Sequence, residues 1–181
     1  MFLLQKIRQL FIFNLILSMA NLIRNFIQHT SLSLMERLTS DHQPLWGKMG
    51  PQHMLEHVSA VFYISRKDLG IPVALPEEKY IKLKKFLWND RPMGKHFYIE
   101  GVHPPQPLEL RNKNIEEAKA LFAKSIQGFY QHYQNNPNDS KIHPVFGPLN
   151  FEEWERFHYK HIYHHFSQFG LIEETEIIPV P

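Results

Sequence analysis

Cysteine is missing from all 181 residues, which excludes disulfide scaffolds, thiolate zinc sites, iron–sulfur clusters and cysteine nucleophiles together. Any bound metal must be held by nitrogen or oxygen. An excess of one charge is missing as well: 20 lysines and arginines stand against 18 acids, so a nucleic-acid partner is not expected. Glycine is scarce at eight copies, whereas histidine, ordinarily much the rarer of the two, occurs twelve times. No HExxH, GxSxG or phosphate-binding loop occurs, leaving metalloprotease, α/β-hydrolase and P-loop chemistry without support. What is present is a chain that is 43% hydrophobic and 21% charged, enough for one domain with a real core. The histidine excess is the lead to follow.

The first segment, MFLLQKIRQLFIFNLILSMANLIRNF, has two early cations, an apolar run from Leu10 to Leu17, and the small residues Ser18 and Ala20 where a secretory cleavage site would sit. Asn14 interrupts the run, and a bilayer needs ~20 largely apolar residues, so no stable membrane span is expected. The segment reads equally well as an upstream extension of a chain whose translation starts at Met19. Residues 1–30 are therefore set apart as an N-terminal extension, 31–171 as the folded domain and 172–181 as a peripheral tail. A cytoplasmic location is expected, with secretion as the alternative.

From Ser31 onward the pattern is helical between visible breakers. Leu32, Leu34, Met35 and Leu38 close a first helix before DHQPLWGKMGP, where prolines and glycines forbid continuation. Pro51 opens a second helix that stops near Gly70 and carries Met54, Val58, Val61 and Phe62 on one face. PEEKYIKLKKFLW gives a shorter helix, acidic at its start and basic at its end, with Lys82, Lys84 and Lys85 as a solvated face. Asn89 to Asn112 reads as an irregular loop whose only strand-like piece is KHFYIEGV. Asn114 and Glu117 then open a long amphipathic helix, and after a linker through His143, Pro144 and Gly147 the pair Asn150 and Glu153 opens a last helix from about Phe151 to Phe169. The fold class is all-α: a four-helix bundle with an extra short helix and an irregular loop between its second and third main helices.

At ~100° per residue, Trp154, His158, His161 and His165 share one face of the last helix, while His164 points toward the edge. On the second helix His57 flanks the apolar stripe, His53 lies one turn nearer the rim and Glu56 faces away. A bundle that turns both stripes inward brings His57, His161 and His165 within reach of a common point. Imidazoles at i and i+4 can take adjacent corners of a coordination sphere, and a third from another helix completes a face. Ordinary core or surface histidines are the competing reading, and for an isolated HxxxH the stronger one. With the reference pKa of about 6.5, protons would compete with metal for all three residues, giving a steep loss of affinity between roughly pH 7.5 and 5.5. Glu155 and His158 form a lone ExxH, which does not suffice for a di-iron bundle. Asp68, Asp90 and Asp139 read as turn or capping residues.

PLWGKMGPQHMLEHV and HPVFGPLNFEEWERFHYKHIYHHFSQFGL together resemble the DinB/YfiT-like metalloprotein superfamily, nearest to a branch classed as a domain of unknown function. The resemblance covers Ser31 to Leu171. It implies a four-helix bundle of up-down-down-up order, with a divalent metal held by one histidine of the second helix and an HxxxH pair of the last. Those positions match His57, His161 and His165. His53 and His158 have no ligand role in that pattern. The resemblance further implies zinc or nickel as first candidates for the metal, a small-molecule substrate with low-molecular-weight thiols among the candidates, and a homodimer as an allowed assembly. Its implied function is a metal-dependent enzyme activating a thiol or water, of transferase or hydrolase type; a non-catalytic metal-binding or stress-response protein is the alternative.

Overall fold

The computed structural model describes residues 5–6, 9, 20–95, 98–102 and 106–173. Among the described residues from 20 onward, five helices and one small sheet make up the regular structure. Helix α1 runs through residues 20–35, with a π-helical turn at Phe26–Thr30 between two α-helical pieces. The Ser31 N–H reaches back to the Phe26 carbonyl, and the Ser31 hydroxyl donates to the Ile27 carbonyl at 2.7 Å. This extra residue in the turn lets Ile23, Phe26 and Ile27, which lie within the segment set apart as an extension, reach the core together with Met35 and Leu38. The apolar run from Leu10 to Leu17 lies outside the described residues. No described helix is long and apolar enough to cross a membrane.

Helix α2 spans Pro51–Ile64, with proline in the first turn and Gly50 at the N-cap. Helix α3 is Glu77–Lys84, continued by a 3₁₀ turn at Lys85–Trp88 that packs Leu87 inward. Lys84, expected in water, instead reaches the Glu153 carboxylate at 3.1 Å and ties α3 to the start of the last helix. Helix α4, Ile115–Asn135, is capped by Asn114, whose side chain accepts the Glu117 N–H, and it buries Ala118, Phe122, Ile126, Phe129 and Tyr133 on one stripe. Packing between α2 and α4 forms the largest helix contact.

The all-α expectation needs one correction. Strand β1, Lys141–His143, pairs antiparallel with β2, Gly147–Leu149, where a plain linker was expected. The His143 ring closes the turn, its Nδ1 accepting the Val145 and Phe146 N–H groups at 3.0 and 3.3 Å. Gly147 adopts φ +70, and a Cβ there would meet the Tyr80 ring at 2.7 Å. The described part of KHFYIEGV, by contrast, forms turns and no strand; His96 and Phe97 lie outside the described residues.

Helix α5, Phe151–Gln168, starts with a complete capping box between Asn150 and Glu153. It departs from the amphipathic expectation by being buried on nearly every side from Trp154 onward. The 3₁₀ turn at Lys85–Trp88 and helix α1 both pack against it. Its polar residues must therefore find partners within the protein. Glu155 pairs with Arg24 of α1 at 3.0 Å, Lys160 donates to the Arg91 carbonyl at 2.7 Å, and the Arg156 guanidinium stacks 4.0 Å from the Trp88 ring.

Candidate metal centre

Three histidines meet where α2 crosses α5. His57 comes from the middle of α2, and His161 and His165 come from successive turns of α5. His57 Nε2 lies 3.0 Å from His161 Nε2, which lies 3.1 Å from His165 Nε2; one ring nitrogen of each lies within 4.8 Å of those of the other two. Two nitrogens bound at 2.0–2.1 Å to one ion stand about 2.8–3.4 Å apart, from right-angled to tetrahedral geometry. Both of these separations fall in that range, and the third nitrogen pair lies within 4.8 Å; three imidazoles are a donor set that a divalent ion such as zinc or nickel accepts.

The three residues that the helical wheel aimed at a common point do lie together, and His164, which it turned toward the edge, lies outside the cluster; His158, which it placed on the same face, lies outside it too. His164 is half-buried, its ring edge-on to His165 and to Trp46 at 5.0 and 6.0 Å, and it is not part of the cluster. His158 is fully buried one turn before His161, where it stacks on Phe62 at 3.7 Å and its Nε2 lies 3.0 Å from the Ser65 hydroxyl. Ser65 already donates to the Phe62 carbonyl, so His158 Nε2–H is the donor in that bond. His53 is half-buried at the start of α2. Glu56 faces the other way, as expected, and its carboxylate accepts the Arg111 and Asn112 N–H groups at 2.8 and 3.0 Å, so it anchors the long loop. Those bonds overcome the cost of burial and bring Glu56 down to a pKa of about 2.

Burial holds two of the three histidines neutral. Burial pushes His161 and His165 well below the ordinary histidine range, and the neighbouring imidazoles push in the same direction. The expectation of ordinary pKa values at all three positions is therefore corrected for these two. Neutral imidazole is the form that binds metal. His161 is held by packing, its ring stacked on Phe157 at 5.2 Å, and its Nδ1 is buried without a hydrogen-bond partner.

His165 is held differently. Its Nδ1 lies 3.0 Å from Gln168 Oε1, and the Gln168 side-chain amide donates to the Trp46 carbonyl at 2.6 Å. The sequence reading missed Gln168. Its only signal there was an amide three residues after a candidate ligand, which places both on one face of the helix.

The family DUF1569, described as a protein of unknown function, matches residues 100–171, a stretch that holds His161 and His165 but not His57. No curated protein and no solved structure matches the chain. The match covers less than half of the chain, the part that carries α4, the hairpin and α5, and the function of that family is itself unassigned.

Proposed function

We propose that His57, His161 and His165 form a tri-histidine site for a divalent metal, zinc or nickel first, in a protein of the DinB/YfiT-like type, and that the site serves a metal-dependent enzyme. The observation that carries this reading is the convergence of three Nε2 atoms from two helices in a buried, neutral setting. Among the described residues no further histidine and no Asp or Glu joins the cluster, and three protein ligands with one open position is the catalytic arrangement of such sites. A metal held there lowers the pKa of a bound water or thiol and polarises whatever replaces it. The chain's own part is to present three bare nitrogens from rigid helices and to exclude competing charge. The DinB-like up-down-down-up order and a low-molecular-weight thiol as co-substrate belong to the same proposal. One observation favours the non-catalytic alternative: His161 and His165 are only 7% and 5% exposed, which suits a metal that stabilises the fold.

Elemental analysis of untagged protein, followed by a transfer screen pairing small thiols with electrophilic acceptors, tests both readings. The enzyme reading expects about one divalent ion per chain and thiol consumption that stops on chelation. Stoichiometric metal without turnover of any thiol or hydrolysable ester would favour the structural role, and protein free of metal would end both.

A further inference from the structure

The segment PLWGKMG, although distinctive in sequence, contributes no ligand. The structure nevertheless ties it to the metal centre by three contacts, all at the end of α5. The Leu45 N–H donates to the Gln168 main-chain carbonyl at 2.7 Å, satisfying one of the carbonyls that a helix C-terminus leaves without an intrahelical partner. The Gln168 side-chain Nε2 donates to the Trp46 carbonyl at 2.6 Å. Gly47 sits with φ +81 so close that a Cβ would meet Gln168 Nε2 at 2.6 Å. Only glycine permits both the left-handed backbone and this approach.

These contacts fix an orientation. A main-chain carbonyl can only accept, so the amide of Gln168 must turn its NH₂ toward Trp46 and its oxygen toward His165. An amide oxygen also only accepts, so His165 must donate from Nδ1. A neutral imidazole carries one N–H, so His165 Nε2 is bare and lies 3.1 Å from His161 Nε2, with the His57 ring edge-on to the His165 ring at 4.9 Å. The Trp46 carbonyl thus sets the Gln168 amide, and the amide sets the tautomer of a candidate ligand. Gln168 is 3% exposed, so water does not compete for either bond.

We propose that Gln168 is the positioning residue of this centre, and that through it the Leu45–Gly47 loop is energetically coupled to metal binding. This rests on the metal-site reading above. Partners of this kind, behind a ligating histidine, fix its tautomer and ring angle, and their loss typically weakens metal affinity about 10- to 100-fold. Coupling is reciprocal: a loop whose order favours the metal is itself ordered by the metal, by the same factor. Trp46, whose ring is edge-on to His164 and lies 4.4 Å from the Lys95 ammonium, is part of that loop.

The test uses untagged full-length protein and three variants, Gln168→Leu, Gln168→Glu and Gly47→Ala, each titrated with Zn²⁺ against a chromophoric chelator. Long-range ¹H–¹⁵N NMR of the zinc form reads the His165 tautomer, and hydrogen exchange reads residues 43–48 with and without zinc. Gln168→Leu is expected to weaken zinc binding by about 10- to 100-fold and to release the tautomer. Gln168→Glu keeps an acceptor for His165 but sets a carboxylate against the Trp46 carbonyl, so affinity stays within about threefold of wild type while zinc no longer protects the loop. Gly47→Ala breaks the loop contact from the other side and weakens zinc several-fold with Gln168 intact. Wild-type affinity and tautomer in Gln168→Leu would overturn the inference and leave Gln168 as a helix-end residue only, with the metal site standing. Should Gln168→Leu fail to fold, loss of zinc by Gln168→Glu would overturn it equally. Wild-type protein that takes up no zinc would remove the metal-site reading and this inference together.

Discussion

At the scale of single residues, direction along a helix separates histidines that share a sequence neighbourhood. His161, His164 and His165 lie within five positions, yet His161 and His165 meet His57 while His164 turns to Trp46. Substituting His57, His161 or His165 with alanine is therefore expected to abolish most metal uptake in folded protein, because each removes one of three ligands, and His164→Ala is expected to retain it. Plasma emission on the four purified variants checks this, and equal loss in all four would sink the assignment. The three clustered histidines were legible in the sequence because 3.6-residue periodicity places His161 and His165 on one face and His57 beside the apolar stripe of another helix. Gln168 was not, because its role exists only once the Leu45–Gly47 loop has folded back onto the end of α5.

At the scale of elements, helices announced themselves where their ends carry chemistry: Pro51 at the start of α2, Asn114 before α4, and Asn150 with Glu153 before α5. The hairpin did not, since three-residue strands are too short to show alternation and its turn is closed by a histidine ring instead of a familiar turn dipeptide. The full burial of α5 was hidden too, because Glu155, Arg156 and Lys160 read as a polar face until their partners on other elements appear. The Arg24–Glu155 pair makes a checkable asymmetry. Glu155 is 4% exposed and Arg24 41%, so Arg24→Ala strands a buried carboxylate and costs about 3 kcal/mol, whereas Glu155→Gln returns Arg24 to water and costs about 1 kcal/mol. Urea unfolding of both variants at pH 7 tests the order. Helix α1 makes a second prediction. A chain shortened to begin at Met19 keeps Ile23, Phe26 and Ile27 and should fold as the full chain does, but one beginning at Ser31 loses all three. At roughly 2–5 kcal/mol for each large buried side chain, that loss rivals the 5–15 kcal/mol of a typical domain. Circular dichroism should show the Met19 chain melting cooperatively and the Ser31 chain without a transition.

At the scale of the whole molecule, the histidines in the interior make stability depend on acidity. His158 carries this most cleanly, since it lies outside the metal cluster and has Phe62, Phe129, Trp154 and Phe157 around its ring. Burial, with His143 adding to it, pushes His158 well below the ordinary histidine range, so in the folded protein it stays neutral where an unfolded chain would hold a proton. The unfolded state therefore binds the extra proton, and stability falls as pH falls. The contribution is complete above the unfolded pKa of about 6.5 and is lost progressively below it, at a slope approaching 1.36 kcal/mol per pH unit for one group, until the folded pKa is reached. His158→Phe keeps an aromatic ring against Phe62 and removes the titration. In chelator, so that metal release does not contribute, unfolding free energies measured from pH 7.5 down to 5 should fall more steeply for wild type than for the variant. The difference in slope should approach 1.4 kcal/mol per pH unit at the acid end, and parallel curves would show that this ring titrates as freely in the folded protein as in water.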